Sequence, residues 1–229
     1  MIMFPYDSVG IMFAVMALII SMAAQFRVKF TFDRYSRVTT RRGVTAEQVA
    51  RMLLDRFGLN SVEVKRVGGR LTDHYDPRSR SLGLSDSVYG NASIAAIGVA
   101  AHEVGHAIQH SAGYAPLGIR NSMVPVVNFG STLAIPIFFM GFLFHGPVLM
   151  EIGILLFLGV VAFHLVTLPV EFNASSRAVA ILGQTGALSG QELNDAGRVL
   201  NAAAWTYIAA TVVAVMHLIR LIILRNNSR

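Results

Sequence analysis

His102, Glu103, His106 and His110 stand in the run AHEVGHAIQH at 101–110, inside a largely apolar sequence. A helix turns once per about 3.6 residues, so the three histidines share one stripe and the glutamate adjoins it. Such a stripe is costly to bury unless something binds it. HEVGH fits the pattern H-E-x-x-H. Histidines at i and i+4 aim two imidazoles at one ion, and the intervening glutamate reaches a water that the ion activates. The chemistry of that arrangement is hydrolysis of a peptide bond, with Glu103 taking the proton of the attacking water. The plainer alternative is a helix whose histidines only hydrogen-bond. The apolar lead-in NASIAAIGVA favours the metal reading.

A catalytic zinc takes three protein ligands and leaves a fourth position open. His110 lies two turns beyond His102, about 12 Å along a helix axis, too far to share one ion. The pattern that needs a third histidine at 112 fails on Ala112. His110 is therefore expected beside the site or on the surface. Glu171, in the segment PVEFNASSRA, is the better third ligand; its plainer role is an acid favoured by the dipole of a helix start. Donors toward a developing oxyanion are typically His, Tyr or Arg. Tyr207, His164 and Arg177 qualify by type and by nearness to the third ligand. SRSLGLS reads as a short strand. As an edge strand it would pair with an extended substrate through Ser81, Leu82, Gly83 and Leu84; the plainer reading is a strand that only completes a small sheet.

The elements that must position these residues lie among membrane-like segments. Of 229 residues, 54% are hydrophobic and only 14% charged, well below the charge of a soluble domain. Four apolar stretches, roughly 8–26, 123–144, 148–168 and 203–224, approach the length of about twenty residues that crosses a bilayer. The 145–147 link HGP makes the middle pair a tight hairpin. The chain has no cysteine, which excludes disulfides and thiolate-bound zinc. Residues 27–120 hold 14 of the 19 basic and 8 of the 13 acidic residues, the whole surplus of +6. A basic segment directly after the first apolar stretch places 27–122 in the cytoplasm beside anionic lipid. Arg225 and Arg229 in the tail weigh against a full crossing by the last stretch. No recognition motif accompanies the charge, so nucleic acid is not the expected partner.

Between the first two stretches the pattern is mixed. Thr45 with Gln48 forms a capping-box start for TAEQVARMLLDRFG, which Gly58 ends. SVEVKRV and RLTDHYD flank Gly68–Gly69 as a hairpin, RSRSLGLS follows as a third strand, and the histidine helix spans roughly 92–111. Pro169 separates the third stretch from a helix over 170–182. Ser189 with Glu192 opens a helix that runs on into the last stretch.

HEVGHAIQH, preceded by YDPRSRSLGLSDSVY and followed by GYAPL and LPVEFNASSRA, resembles the YugP-like family of bacterial neutral zinc metallopeptidases over nearly the whole chain. These are similar to HtpX-type membrane proteases in setting a transmembrane hairpin between H-E-x-x-H and the ligand glutamate. The resemblance implies zinc, one ion per chain, on His102, His106 and Glu171, with Glu103 as general base. One position departs from the HtpX-type pattern E-x-x-x-D: Ser175 stands where the aspartate would, and a hydroxyl orients a ligand histidine with less charge.

The expected fold is mainly α, an α+β zincin-like domain of gluzincin type with a small β-sheet, joined to about four transmembrane helices. Its parts are a first span at 1–26, a catalytic segment at 27–122, a transmembrane hairpin at 123–168, a helix with the third ligand at 169–202 and a last span and tail at 203–229. The expected activity is zinc-dependent endopeptidase in a bacterial cell membrane, catalytic side cytoplasmic. Its substrates are polypeptides, membrane proteins above all, in quality control or processing, and an oligomer or partner membrane proteins fit the same setting. The rival is a zinc-binding membrane scaffold with little turnover in a larger complex. A channel or transporter is disfavoured because the first three stretches carry almost no ionisable residue away from their ends.

Overall fold

The computed structural model describes residues 8–228, with side chains from Gly10 onward. Residues 1–7 of the expected first span, and Arg229 of the tail, lie outside the described residues. The elements in order are α1 (Ser8–Tyr35), α2 (Ala46–Arg56), β1 (Glu63–Val67), β2 (His74–Asp76), β3 (Ser81–Ser85), α3 (Ile94–Ser111), α4 (Ala115–Leu143), α5 (Pro147–Gln184) and α6 (Gln191–Asn227). The protein is thus mainly helical with one three-stranded sheet. Among the described residues four helices, α1, α4, α5 and α6, are long and apolar enough to cross a membrane.

The chain divides into two compact units. One holds residues up to Gln25, Ile119–Leu168 and Thr206 onward. Its side chains turn apolar surface outward, among them Ile19, Phe129, Phe144 and Leu155, as lipid-facing helices require. Its small core is Phe138, Met150 and Leu221. The α4–α5 turn is tight: His145 is left-handed at φ 53°, and Pro147, which lacks an N–H to satisfy, begins α5.

The other unit is Phe26–Gly118 with Pro169–Trp205. Its core joins α2 (Val49, Leu53, Leu54), β3 (Leu82, Leu84), α3 (Ile94, Ile97, Val104), α5 (Ala178, Leu182) and α6 (Ala196, Val199). Ser93 caps α3 by accepting the Ala96 N–H at 3.3 Å. Gln48 Oε1 accepts the Thr45 N–H at 3.3 Å, the return bond of a capping box, and Gly58 at φ 70° follows α2.

Four expectations meet a different structure. β1 and β2 are not a hairpin: the sheet order is β1-β3-β2, with β1 parallel to β3 (Glu63 opposite Ser81) and β2 antiparallel to it (Asp76 opposite Ser81). The Gly68–Gly69 turn does not fold β2 back on β1, because Asp86 captures it by accepting the Gly69 N–H at 2.9 Å. Asp73 then accepts from the Ser85 N–H at 2.7 Å and its hydroxyl at 2.9 Å. The linking segment is therefore pinned to the far end of β3, and β3 slots between the other two strands.

The second correction follows. Ser81, Leu82, Gly83 and Leu84 are buried in the central strand, the first three opposite both β1 and β2 and Leu84 opposite β1, so β3 is not an edge strand to offer an extended substrate.

Third, Pro169, where the second unit resumes, is not a helix boundary. α5 runs through it unbroken, since a proline removes one N–H from the ladder while neighbouring contacts hold the rest. At the other helix start, Glu192 does not return to Ser189; its Oε1 accepts the Arg41 N–H at 2.7 Å, and α6 opens after Gly190.

Candidate metal centre

α3 and α5 meet over a glycine. A Cβ on Gly105, the second x of HEVGH, would lie 2.7 Å from the Ala174 carbonyl oxygen, closer than real contacts allow. Only a residue without a side chain lets α5 pass so near the histidine stripe. That approach carries Glu171, one turn before Ser175 on the same face, onto His102 and His106.

Glu171 Oε2 lies 3.2 Å from His102 Nε2 and 3.6 Å from His106 Nε2. One donor atom from each of the three residues falls within 4.8 Å of the others, and among the described residues this is the one such group. The two imidazoles stand edge to face, 4.8 Å between ring centres. Glu103, His106 and Glu171 are buried, and His102 is nearly so.

Each histidine has a partner behind it. Ser175 Oγ is 3.1 Å from His102 Nδ1, and Gln109 Oε1 is 3.0 Å from His106 Nδ1. The Gln109 contact can be oriented by elimination. Arg177 Nε, which can only donate, is 2.7 Å from Asn173 Oδ1 and so fixes that oxygen. Gln109 Nε2 donates to this oxygen at 3.0 Å and to the Val170 carbonyl at 2.8 Å. With its N–H groups so committed, Gln109 turns its oxygen to His106, which must keep a proton on Nδ1 and point Nε2 at Glu171, as a donor when that nitrogen is protonated and as a lone pair for an ion when it is not.

The charge of the site suits a cation. Burial alone would raise the Glu171 carboxyl, but hydrogen bonds from both histidines and their charge outweigh it and hold the group well below the usual carboxylate range. Burial disfavours a proton on His106, yet its bond to Glu171 and the charges of Glu103 and Glu171 raise its affinity for one. A site that draws a proton this way draws a divalent cation by the same field. Two imidazole nitrogens and one carboxylate oxygen are the donor set of an open zinc site. The residues fit the ion.

The remaining candidates fall elsewhere. His110 is outside the group: its Nδ1 pairs with the Tyr75 hydroxyl at 2.9 Å on an exposed surface. Arg177 is held by Asn173, which makes it a positioning residue here. His164 and Tyr207 belong to the other compact unit. Sequence reasoning missed Gln109 and Asn173. The one local hint of Gln109 was its place three residues after His106, on the same face of α3.

A family model described as "Putative neutral zinc metallopeptidase" matches residues 10–226. Among curated proteins, the chain is 47% identical over 220 residues to "Putative membrane protease YugP" of Bacillus subtilis (strain 168), covering 96% of this chain and 97% of that one. No solved structure matches. With its His-His-Glu donor group, its four apolar helices and these two matches over nearly its full length, the chain belongs to the YugP-like family of neutral zinc metallopeptidases.

Proposed function

We propose that the protein is an integral-membrane zinc endopeptidase of gluzincin type, holding one ion per chain on His102, His106 and Glu171. The observation that carries this reading is the convergence of those three donors beside Glu103, a buried glutamate on the helix that bears both histidines. When bound, zinc supplies a Lewis acid that makes water nucleophilic near neutral pH. Glu103, one residue beyond His102, takes the proton of the attacking water and passes it to the departing amine. Ser175 and Gln109 hold the two rings by Nδ1, so that Nε2 of each faces inward. Glu171 provides the anionic third donor.

In this reading 27–122 and 169–202 form the catalytic domain, and the apolar stretches of 1–26, 123–168 and 203–229 anchor it. The basic run from Arg27 to Arg42 sets the catalytic side in the cytoplasm of a bacterial cell, beside polypeptide substrates that are themselves membrane proteins.

The test compares purified wild type with Glu103→Gln. Both should carry about one zinc per chain, while the variant cleaves casein some 10²- to 10⁴-fold more slowly. Equal cleavage by the two proteins rejects Glu103 as base. A zinc-loaded wild type that cleaves nothing points instead to a metal-binding scaffold. Orientation is tested separately with a cysteine at Ser79, which a hydrophilic thiol probe should reach only in opened cells; labelling of intact cells reverses the topology.

A further inference from the structure

We propose that the groove between α1 and α6 is a binding site for the phosphate of an anionic membrane phospholipid. It has a volume of about 440 Å³, and its walls are one face of each helix. Arg27, Thr31 and Arg34 come from α1 at the spacing of a single stripe, and Gly197, Arg198 and Asn201 from α6 in the same way. Gly197, with no side chain to fill it, lies among the groove-lining residues of α6.

The charge in this groove is not cancelled from within. Arg198 pairs with Asp195 at 2.9 Å and donates to the Tyr35 hydroxyl at 3.2 Å. Arg27 and Arg34 have no carboxylate partner among the described residues. Arg27 reaches the Asn201 amide oxygen at 3.4 Å and lies over the Trp205 ring at 5.2 Å, while Arg34 lies over Tyr35 at 5.6 Å. The nearby acid Asp33 is taken by Arg70. Two guanidinium groups, two turns apart and held against aromatic rings, thus line a polar recess with a hydroxyl and an amide beside them. Such forks match phosphate oxygens in geometry and charge.

The place of the groove selects the source of the phosphate. Arg27 is the first charged residue after the apolar part of α1, and Trp205 stands where the apolar part of α6 begins. Basic residues with an interfacial tryptophan at that level meet lipid headgroups, and basic pockets between helices on the cytoplasmic side bind anionic ones. A site of this kind would hold the polar unit at a fixed depth through lipid rather than protein contacts. The proposal does not depend on the metal reading.

Trp205 is the only tryptophan of the chain, so its fluorescence reports this groove without background. The full-length protein would be reconstituted in mixed phosphatidylglycerol and phosphatidylcholine vesicles, with bromine quencher on one lipid or the other. Wild type should be quenched more strongly by the brominated anionic lipid, with a preference of about fivefold for each engaged arginine. Arg27→Gln with Arg34→Gln should bring the two lipids to parity. Arg34→Gln alone, which leaves the Trp205 contact intact, should lose most of one fivefold step. The control Arg56→Gln with Arg78→Gln removes the same charge outside the groove and should keep the preference. Equal quenching by both lipids in wild type, or an undiminished preference in Arg34→Gln, overturns the proposal. Loss of the preference on adding inorganic phosphate at constant ionic strength would assign the groove to free phosphate, and so overturns the lipid source.

Discussion

Two of the glycine-mediated contacts of α5 differ in what surrounds the glycine. In the apolar unit, a Cβ on Gly153 would lie 2.7 Å from Phe138 Cβ and 2.8 Å from the Ala134 carbonyl oxygen of α4, and the neighbouring core is Phe138, Met150 and Leu221. In the other unit, Gly105 of α3 approaches Ala174 equally closely, but its neighbours are His102, His106, Gln109, Glu171 and Ser175, joined by hydrogen bonds. Close approach alone supplies dispersion energy and tolerates small slippage. Close approach with directional bonds around it fixes atoms to a few tenths of an ångström, which a metal centre requires. The same backbone device serves anchorage in one place and placement in the other.

Four substitutions at the metal centre, from the largest effect on metal to the smallest, and one counterpart in the apolar unit probe that difference. Glu171→Ala removes the anionic donor and should abolish stoichiometric zinc by elemental analysis; full retention would mean the third ligand lies elsewhere. Gly105→Ala adds one methyl group and touches no donor atom, yet it must push α5 away, so zinc affinity should fall at least tenfold in a chelator competition. Its counterpart Gly153→Ala should cost about 1–3 kcal/mol of stability in thermal melts and leave zinc affinity unchanged. If the two glycine variants lose zinc alike, the contrast drawn above is wrong.

Gln109→Ala unties His106 from Val170 and Asn173, and zinc affinity should drop roughly 10- to 100-fold in the same competition. Ser175→Ala should have the smallest effect of the four, severalfold, because a neutral hydroxyl gives His102 only one modest bond. His110→Ala, bonded to Tyr75 alone, serves as the control with intact metal content.

What the sequence made legible was the local part. The stripe of α3 is written in its i, i+4 spacing, the four apolar helices in their length, and the α4–α5 turn in His145–Gly146–Pro147. Glu171 could be singled out because an acid directly after an apolar run is conspicuous. Gln109 could not be, since its partners Val170 and Asn173 are 61 and 64 residues away and nothing near Gln109 announces them. The strand order was hidden for a similar reason. Two glycines between apolar runs signal a turn, but the carboxylates of Asp73 and Asp86 that redirect the chain act through tertiary contacts. Pro169 misled because local propensity says stop, whereas the packing of α5 on both sides of it says continue.

The Gln109 amide has one further consequence. Turned by half a rotation, it would aim its oxygen at two other oxygens and its hydrogens at a ring proton, so the reversed state is excluded on electrostatic grounds alone. The proton on His106 Nδ1 is therefore held by a residue that never meets the ion, and it stays there whether Nε2 faces an ion or carries a proton of its own. Loading becomes the filling of a finished mould, so stripping the metal and returning it should be a reversible cycle at constant shape.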